Sequence, residues 1–225
     1  MPNYIICSST SRNYEMVSFF NKSGIGNFYL ITTPKQLTID FLSFIKPEYI
    51  FFPHWSYIIN AEIYDNFNCI IFHMTDLPYG RGGSPLQNLI IRGKRKTKMS
   101  ALKCTNVLDG GDLYLKEALD LSGSAEEILL RAKDLMMVMI TKIIEENPLP
   151  SKQAGAAVTF KRRTPDQSEI ENASDLTEFY DYIRMLDAEG YPNAFIEKNG
   201  FKIEFKDAKL DGSKLTASVR ITKNG

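Results

Sequence analysis

A histidine followed by a glycine-rich loop is the feature of this sequence best suited to chemistry. His73 ends the apolar run CIIFH, residues 69–73, and the next residues read MTDLPYGRGGSPLQN. Such a loop brings backbone groups close to a flat ligand or an anion, and an imidazole can exchange a proton near neutral pH. Only one other histidine, His54, exists, so imidazole chemistry must use one of the two. The same pattern is also typical of a tight strand-to-helix connection with a hydrogen-bonded histidine.

The elements that must position His73 are those of an α/β sheet. Four short runs rich in β-branched and aromatic residues are separated by amphipathic stretches: residues 3–7, 27–31, 48–52 and 69–73. Strands that are apolar at nearly every position are covered on both faces, as parallel strands are. We therefore expect a Rossmann-like core with a mainly parallel sheet and His73 at its ligand-binding carboxyl edge. The first turn, SSTSR, has no glycine, which argues against a dinucleotide cofactor.

The second half of the chain predicts a long helix followed by a linker. Ser124 and Glu127 form a capping-box pattern, so we expect a helix from there to about residue 147. Its apolar stretch at 135–140 indicates core packing, although methionine-rich faces also bind partners. Residues 148–157, PLPSKQAGAA, are typical of a linker.

A small subdomain is expected after this linker. A short strand, a helix at 175–186 and alternating runs with turns at Asn199-Gly200 and Asp211-Gly212 predict a C-terminal α+β subdomain rich in hairpins. The predicted domains are a core domain, residues 1–150, and this subdomain, residues 151–225.

Composition limits the classes of partner. The chain has 27 basic and 27 acidic residues, and the resulting zero net charge argues against a generic nucleic-acid or lipid binder. No window approaches the roughly 20 apolar residues that cross a bilayer, and no signal peptide is evident, so a cytoplasmic location is expected. The widely spaced Cys7, Cys69 and Cys104 predict neither a disulfide framework nor a zinc site.

A second glycine-flanked cluster gives the sequence a family resemblance. Residues 107–114 read VLDGGDLY, with Asp109 36 residues after His73. Together with the loop TDLPYGRG, this pattern resembles the N10-formyltetrahydrofolate-dependent formyltransferases, which have a methionyl-tRNA formyltransferase-like fold. In that family a strand ends in Asn-x-His, a loop SLLPxxRG follows, and an aspartate turn comes at this spacing. Two further segments resemble the C-terminal subdomain of the branch that formylates nucleotide-linked amino sugars. They are KRRTPDQSEI at 161–170 and MLDAEGYPNAF at 185–195.

The resemblance implies formyl transfer from N10-formyltetrahydrofolate to an amine, with no metal. His73 would polarise the formyl oxygen or accept the amine proton, and Asp109 would hold the imidazole tautomer and stabilise its charged form. The acceptor implied by the most similar branch is UDP-4-amino-4,6-dideoxy-N-acetyl-altrosamine of pseudaminic acid biosynthesis, a route to cell-surface glycans. The implied partners are this small molecule, no nucleic acid, no membrane and a second copy in a homodimer.

Two other functions stay open. One is formyl transfer to an aminoacyl carrier or a tRNA, against which the neutral charge and the short tail argue. The other is a folate-binding relative with impaired catalysis, because Ile71 stands where the family has its asparagine, and a missing oxyanion donor costs about 100-fold in rate. His54, after the preceding strand, is the candidate replacement and third candidate catalytic residue. A histidine on a surface loop is equally compatible with its position.

The resemblance places the folate in a pocket between the loop after the strand that precedes the histidine strand and the loop that leads to the aspartate. The candidate cofactor-binding residues are Pro53, Trp55, Ser56, Ile58, Pro78, Gly82, Lys103 and Thr105. Trp55, the only tryptophan, can pack on a ring of the cofactor, although core packing is the commoner role of a tryptophan.

Basic residues after the linker are candidate phosphate contacts. Lys161, Arg162 and Arg163 lie in a motif shared with the sugar branch, and guanidinium geometry favours bidentate contact with a substrate diphosphate. Arg81 in the glycine-rich loop is a further substrate-binding candidate. The other basic run, RGKRKTK at 92–98, is more typical of a solvated turn.

Overall fold

The structure, a computed structural model, describes residues 1–223, and residues 224 and 225 of the expected C-terminal subdomain lie outside the described residues. The chain forms two compact units. The first contains residues 1–81, 98–118 and 132–158, and the second contains 82–97, 119–131 and the residues from 159 onward. The units thus interleave along the chain, and the single domain boundary expected at residue 150 stays a prediction.

The four apolar runs become strands of a six-stranded sheet. The first eight strands are β1 (Asn3–Cys7), β2 (Asn27–Ile31), β3 (Tyr49–Phe52), β4 (Cys69–His73), β5 (Tyr79–Gly82), β6 (Lys96–Lys103), β7 (Leu113–Asp120) and β8 (Val158–Phe160). The order in the large sheet is β2-β1-β3-β4-β6-β7, and β5 and β8 form a two-stranded sheet. Strand β1 is parallel to β2 and β3, β3 is parallel to β4, and β4 is antiparallel to β6. The predicted mainly parallel α/β core is confirmed.

Helices connect the strands. They are α1 (Glu15–Ser23), α2 (Ile39–Ile45), α3 (Ala61–Asn66), α4 (Pro85–Ile90), α5 (Ala125–Glu146) and α6 (Leu176–Arg184). The predicted capping box begins α5: the Glu127 N–H donates to Ser124 Oγ at 3.3 Å, and the Ser124 N–H donates to Glu127 Oε2 at 2.8 Å. The apolar stretch of α5 is not buried all round, because Val138 is 50% exposed. None of the described helices is long and apolar enough to cross a membrane.

The core under the parallel strands contains all three cysteines. Cys7, Cys69 and Cys104 are free thiols buried in one cluster with aliphatic residues of β1, β2 and β3. Burial raises the pKa of each thiol, and that of Cys104 rises to about 11, with the negative charge of Asp109 adding to the effect of burial. These thiols therefore stay protonated at neutral pH and serve as apolar packing groups.

The second unit contains the expected hairpins. Strands β9 (Ala194–Lys198), β10 (Phe201–Asp211) and β11 (Lys214–Lys223) form an antiparallel sheet, and α6 packs on β10, with the rings of Phe179 and Phe205 5.6 Å apart. The turn between β9 and β10 uses Asn199 and Gly200, whose φ angles are 51° and 78°. The predicted C-terminal α+β subdomain is confirmed, and its Asn-Gly turn has the left-handed conformation that such hairpins need.

The segment expected to be a linker is anchored at both ends. Ser151 pairs with Leu113 through two backbone hydrogen bonds of 2.7 and 2.9 Å. The Val158 N–H then donates to the Pro78 carbonyl at 3.1 Å. Residues 152–157 therefore pass between two fixed points of the first unit.

Candidate active site

His73 is held by the loop that follows it. The residue is 7% exposed, and its Nε2 lies 2.7 Å from the carbonyl oxygen of Gly80. A carbonyl oxygen can only accept, so Nε2 carries the hydrogen of the neutral ring and the lone pair is on Nδ1. Gly80 has a φ of 80°, a left-handed conformation that favours glycine. The glycine-rich loop thus turns back and determines the tautomer of the ring at the strand end.

Asp109 lies at the other ring nitrogen. Its Oδ2 is 3.6 Å from Nδ1 of His73, and the residue is 9% exposed. This distance is too long for a hydrogen bond but suits an ion pair once Nδ1 is protonated. The structure therefore brings together the two residues that the sequence pattern paired. The resemblance implied that Asp109 holds the tautomer of His73, but in the structure the Gly80 carbonyl does so through Nε2. The Asp109 carboxylate lies beside Nδ1, the nitrogen that would gain a proton.

The turn that carries Asp109 is tightly constrained. Asp109 has a left-handed φ of 49°, and a Cβ on Gly111 would lie 1.8 Å from the carbonyl oxygen of Lys103. Gln153 Nε2 donates to the carbonyls of Asp109 and Gly111, both at 2.8 Å. Only glycine fits at position 111, which explains the second glycine of the DGG turn.

Gln153 was missed at the sequence level. Besides its bonds to the aspartate turn, its Oε1 accepts from Arg81 Nε at 3.2 Å and Nη2 at 2.7 Å. It lies among small exposed residues in the predicted linker, and no local pattern marks it. The pairing of Ser151 with Leu113, together with the Val158 bond to Pro78, brings it to the site. Arg81, a predicted substrate-binding residue, is bound to this amide.

Two lysines hold the start of the glycine-rich loop. Lys116 Nζ donates to Asp76 Oδ1 at 2.6 Å and also to the Leu77 carbonyl, and Lys98 Nζ lies 3.2 Å from Asp76 Oδ2. Burial by itself raises the pKa of Asp76, but the hydrogen bonds and charges of Lys116 and Lys98 outweigh it and hold that pKa below its ordinary value. The carboxylate is therefore charged at neutral pH and ties the loop to β6 and β7.

His54 follows β3 at the position that corresponds to His73, the last residue of β4. The register pairs Phe52 with Ile71, so each histidine comes two residues after a paired residue. The carbonyl of His54 accepts from the Ser9 N–H at 3.1 Å and from Ser9 Oγ at 2.9 Å, and its φ is 61°. Burial, with a smaller contribution from the Arg12 charge, lowers the pKa of His54. Its ring is neutral at physiological pH and retains one N–H donor.

Ile71, which the resemblance places at the position of the family asparagine, is a packing residue in the structure. It is partly buried and contacts Leu77 and Leu102 as well as the cluster under the parallel strands. Because alternate residues of a strand share a face, Ile71 and His73 lie on the same face of β4.

Two of the expected folate-binding residues line a cavity. Trp55 and Ile58 border a space of about 300 Å³, together with residues of the 34–39 and 60–63 segments. Trp55 Nε1 is buried and has no hydrogen-bond partner in the structure. A buried donor without an acceptor costs free energy, so a ligand acceptor at this nitrogen would be favourable.

The loop before Trp55 is fixed through its backbone. The Pro53 carbonyl accepts from Asn13 Nδ2 at 3.0 Å. The Ser56 N–H donates to Ser9 Oγ at 3.2 Å, and the two serine hydroxyls are 3.1 Å apart. The side chain of Ile58 is left exposed.

The other predicted cofactor-binding residues contribute backbone structure. Pro78 is buried, and a Cβ on Gly82 would lie 2.5 Å from the Phe160 carbonyl oxygen. Lys103 is exposed, and its N–H donates to the Asp112 carbonyl at 2.8 Å. Thr105 Oγ1 donates to the Val107 carbonyl at 3.3 Å. Contact of these residues with folate stays a prediction.

The basic segment after β8 lies beside α4 in the second unit. Lys161 and Arg162 are exposed, and Arg163 is half-buried. The Arg163 N–H donates to Ser84 Oγ at 3.0 Å. Pro85 begins α4, and Ser84 before it has a φ of 47° and makes no capping hydrogen bond with its side chain. Burial lowers the pKa of Arg163, and the nearby charge of Arg92 lowers it further, against an opposing effect of Tyr182.

The basic run at 92–98, expected to be a solvated turn, makes specific side-chain contacts. Arg95 Nη1 is 2.7 Å from Asp181 Oδ1, and the Arg92 guanidinium lies 4.6 Å above the centre of the Phe160 ring. Lys98 pairs with Asp76, as described above. Within residues 1–223, no group of three His, Cys, Asp or Glu side chains could hold a metal ion.

Comparisons with known proteins define the class. The family described as methionyl-tRNA formyltransferase, C-terminal domain, matches residues 165–222. A solved structure named methionyl-tRNA formyltransferase, from Clostridium thermocellum, is 48% identical, covers 100% of both chains and has a TM-score of 0.95. A curated methionyl-tRNA formyltransferase from Rickettsia massiliae is 28% identical over 149 residues, 63% of this chain and 49% of that protein. The chain spans about half the length of the first curated relatives it matches.

More distant structures share the fold. A sugar N-formyltransferase from a Shewanella species is 15% identical, with a TM-score of 0.66 and coverage of 97% of this chain and 96% of that one. HypX from Aquifex aeolicus, solved with tetrahydrofolic acid, is 14% identical, with a TM-score of 0.73 and coverage of 91% and 37%. The full-length similarity at 48% identity shows that the chain belongs to the formyltransferase family with the methionyl-tRNA formyltransferase-like fold.

The acceptor expected from the sequence is wrong. The relative at 48% identity over the whole chain carries the name of a tRNA formyltransferase, whereas the sugar enzyme is similar only at 15%. Three expectations are therefore wrong: a nucleotide-linked amino sugar as acceptor, a place in pseudaminic acid and glycan biosynthesis, and the exclusion of a nucleic-acid partner. The zero net charge misled because it sums over the whole chain and does not report local charge.

Proposed function

We propose that the protein transfers a formyl group from N10-formyltetrahydrofolate to the α-amino group of methionyl-tRNA. The observation that carries the chemistry is the buried imidazole of His73 between the Gly80 carbonyl and the Asp109 carboxylate. The names of the relatives at 48% and 28% identity support the acceptor. The reaction forms a bond between the amine nitrogen and the formyl carbon, breaks the bond from that carbon to N10, and moves one amine proton to N10.

The proton is handled by His73 and Asp109. With Nε2–H bound to the Gly80 carbonyl, Nδ1 has the lone pair that accepts a proton from the attacking amine. The resulting imidazolium lies beside the Asp109 carboxylate in a nearly buried site, where the attraction between opposite charges is stronger than in water. His73 can then return the proton to the departing nitrogen. His54, with a neutral ring and one N–H, is the proposed donor to the developing oxyanion in place of the family asparagine.

The cavity beside Trp55 supports binding of the donor. The family's formyl donor is N10-formyltetrahydrofolate, which supplies the reacting formyl carbon when it is bound. A volume of about 300 Å³ is at the lower end of small-molecule pockets, enough for a bicyclic ring, and the unpartnered Trp55 Nε1 offers a donor to it. Trp55 is the only tryptophan, so quenching of its fluorescence by tetrahydrofolate would report binding. A Trp55→Phe variant is expected to raise the KM for the donor while changing kcat little.

The basic segment supports contact with the tRNA backbone. Lys161 and Arg162 are exposed, and Arg163 is near Arg92, which together give a local positive charge. If Arg162 contacts a phosphate, Arg162→Ala raises the KM for methionyl-tRNA and lowers the slope of log KM against log salt by about 1. Lys206→Ala, on the exposed side of β10, is the matched control and should change neither quantity. Equal salt slopes in both variants would show that the basic segment does not contact the tRNA.

The deciding experiment is a formylation assay with purified protein. We expect N10-formyltetrahydrofolate and methionyl-tRNA to give N-formylmethionyl-tRNA, detected by mass after hydrolysis of the ester. Free methionine and an aminoacylated carrier protein are parallel acceptors, and His73→Asn is the inactive control. Formylation of the carrier alone, or of none of the three, would disprove the proposal. The cytoplasmic location, the homodimer and the role of Arg81 in acceptor binding stay predictions.

A further inference from the structure

Gln153 uses every hydrogen-bonding position of its side chain at the candidate active site. Its amide nitrogen donates both hydrogens, to the carbonyls of Asp109 and Gly111, and its oxygen accepts two from Arg81. An amide has two donors and two acceptor lone pairs, so this side chain is saturated. Such a set of partners is typical of a residue that organises its surroundings.

The orientation of this amide has a single solution. A guanidinium can only donate and a backbone carbonyl can only accept, so the oxygen must face Arg81 and the nitrogen must face the aspartate turn. Turning the amide over would set donor against donor and acceptor against acceptor. The side chain therefore fixes the Arg81 guanidinium and the aspartate turn relative to each other.

The turn that Gln153 holds needs such support. Asp109 is a non-glycine residue with a left-handed φ of 49°, an unfavourable conformation that persists only when its surroundings enforce it. Gly111 is already packed against the Lys103 carbonyl. The two bonds from Gln153 hold the carbonyls on both sides of Gly110 and so determine where the Asp109 side chain begins.

The same amide connects the two partners of the His73 ring. Asp109 faces Nδ1, while Arg81 directly follows Gly80, whose carbonyl accepts from Nε2. Gln153 is itself located by the Ser151 pairing with Leu113 and by the Val158 bond to Pro78. It thus links the aspartate turn to the glycine-rich loop, and every member of this link belongs to the first unit.

We infer that Gln153 is a positioning residue that sets the Asp109 carboxylate against Nδ1 of His73. The effect of Gln153 on turnover rests on the proposed formyl transfer. Its effect on the contact between Asp109 and the His73 ring does not depend on that function. Loss of the two amide donors should let the aspartate turn relax and change the contact of Asp109 with the ring. A misplacement of about 1 Å at a reacting group can cost about 100-fold in rate.

Two substitutions separate the two halves of the link. Gln153→Glu keeps an acceptor for Arg81 but replaces the donors with a carboxylate oxygen facing two carbonyls, and Gln153→Ala removes both halves. Lys152→Ala, an exposed neighbour, is the control. We expect kcat to fall about 100-fold in both Gln153 variants while the KM for each substrate changes by less than about threefold, and the control to match the wild type.

Imidazole NMR gives a readout that does not depend on turnover. The chain has two histidines, so ¹⁵N spectra show two rings, and a His54→Asn variant identifies which is His73. At one fixed pH, the Nδ1 shift of His73 should move in both Gln153 variants and stay in place in Lys152→Ala. If the His73 shifts of the folded Gln153→Glu variant match those of the wild type, the inference is wrong, even if its melting temperature falls. If the wild type formylates no acceptor, the proposed function fails, and the ¹⁵N comparison still decides the role of Gln153.

Discussion

Two histidines at the ends of neighbouring parallel strands have very different surroundings. His73, the last residue of β4, is hydrogen-bonded through Nε2 to a carbonyl and has a carboxylate oxygen 3.6 Å from Nδ1. His54 after β3 is held through its backbone by Ser9, and the charge near its ring is the guanidinium of Arg12. The strand end brings each histidine to the sheet edge, but the charges contributed by distant loops decide what each ring can do. Burial and the Arg12 guanidinium favour the neutral form of the His54 ring.

The largest loss of activity is expected when the His73 ring or the carboxylate beside it is removed. His73→Ala and Asp109→Asn should each lower kcat for formyl transfer by about 1,000-fold or more, because the proton acceptor or the charge that stabilises it is lost. Steady-state kinetics with methionyl-tRNA measures the effect, and circular dichroism checks that the variants fold. Near-native turnover in either variant would refute the assignment of the centre.

A smaller loss is expected at the second ring. His54→Ala should lower kcat by about 100-fold if its N–H serves the oxyanion. Ile71→Asn places an amide on the face of β4 that carries His73, so in the His54→Ala background it should restore part of the lost turnover. Unchanged kcat in His54→Ala would make His54 a structural residue and sharpen the contrast between the two strand ends.

The pH dependence of stability should show the same contrast. The folded pKa of His54 lies below its unfolded value of about 6.5, so the unfolded chain binds more protons and stability falls as the pH drops through that range. Asparagine tolerates the left-handed φ of this position, so His54→Asn should keep the fold and lose less stability than the wild type between about pH 8 and pH 5. Urea unfolding at both pH values measures this. A steeper loss in His54→Asn would contradict the direction of the shift.

The smallest effect is expected from the serine that holds the second strand end. Ser9→Ala removes the hydroxyl bonds to the His54 carbonyl and to Ser56 and should lower the free energy of unfolding by about 1 kcal/mol. Ser18→Ala, which removes an exposed helical serine bonded to the Glu15 carbonyl, is the matched control with a smaller effect. A Ser9→Ala variant as stable as the wild type would show that the Ser9 backbone N–H alone holds the turn.

The sequence predicts those parts of the site that depend on local pattern. The apolar run at 69–73 indicates a buried strand, and β4 has those bounds, with His73 at its end. The spacing of the DGG turn paired Asp109 with His73, and the two side chains lie 3.6 Å apart. Gln153 could not be found in this way, because its role depends on the pairing of Ser151 with Leu113, far away in sequence. The nucleotide-linked amino sugar expected from the sequence was wrong, because short similarities at 161–170 and a summed charge carry little information about a partner.

The burial of all three cysteines makes the thiols reporters of core opening. A thiol-modifying reagent reaches a buried, protonated cysteine only when the surrounding structure opens, so labelling rates of Cys7, Cys69 and Cys104 follow exposure of the core under the parallel strands. The native chain should be nearly inert to such reagents. A single cysteine introduced in place of Ile58, which is 96% exposed beside the cavity, would then carry a fluorophore or spin label selectively without removal of any natural thiol.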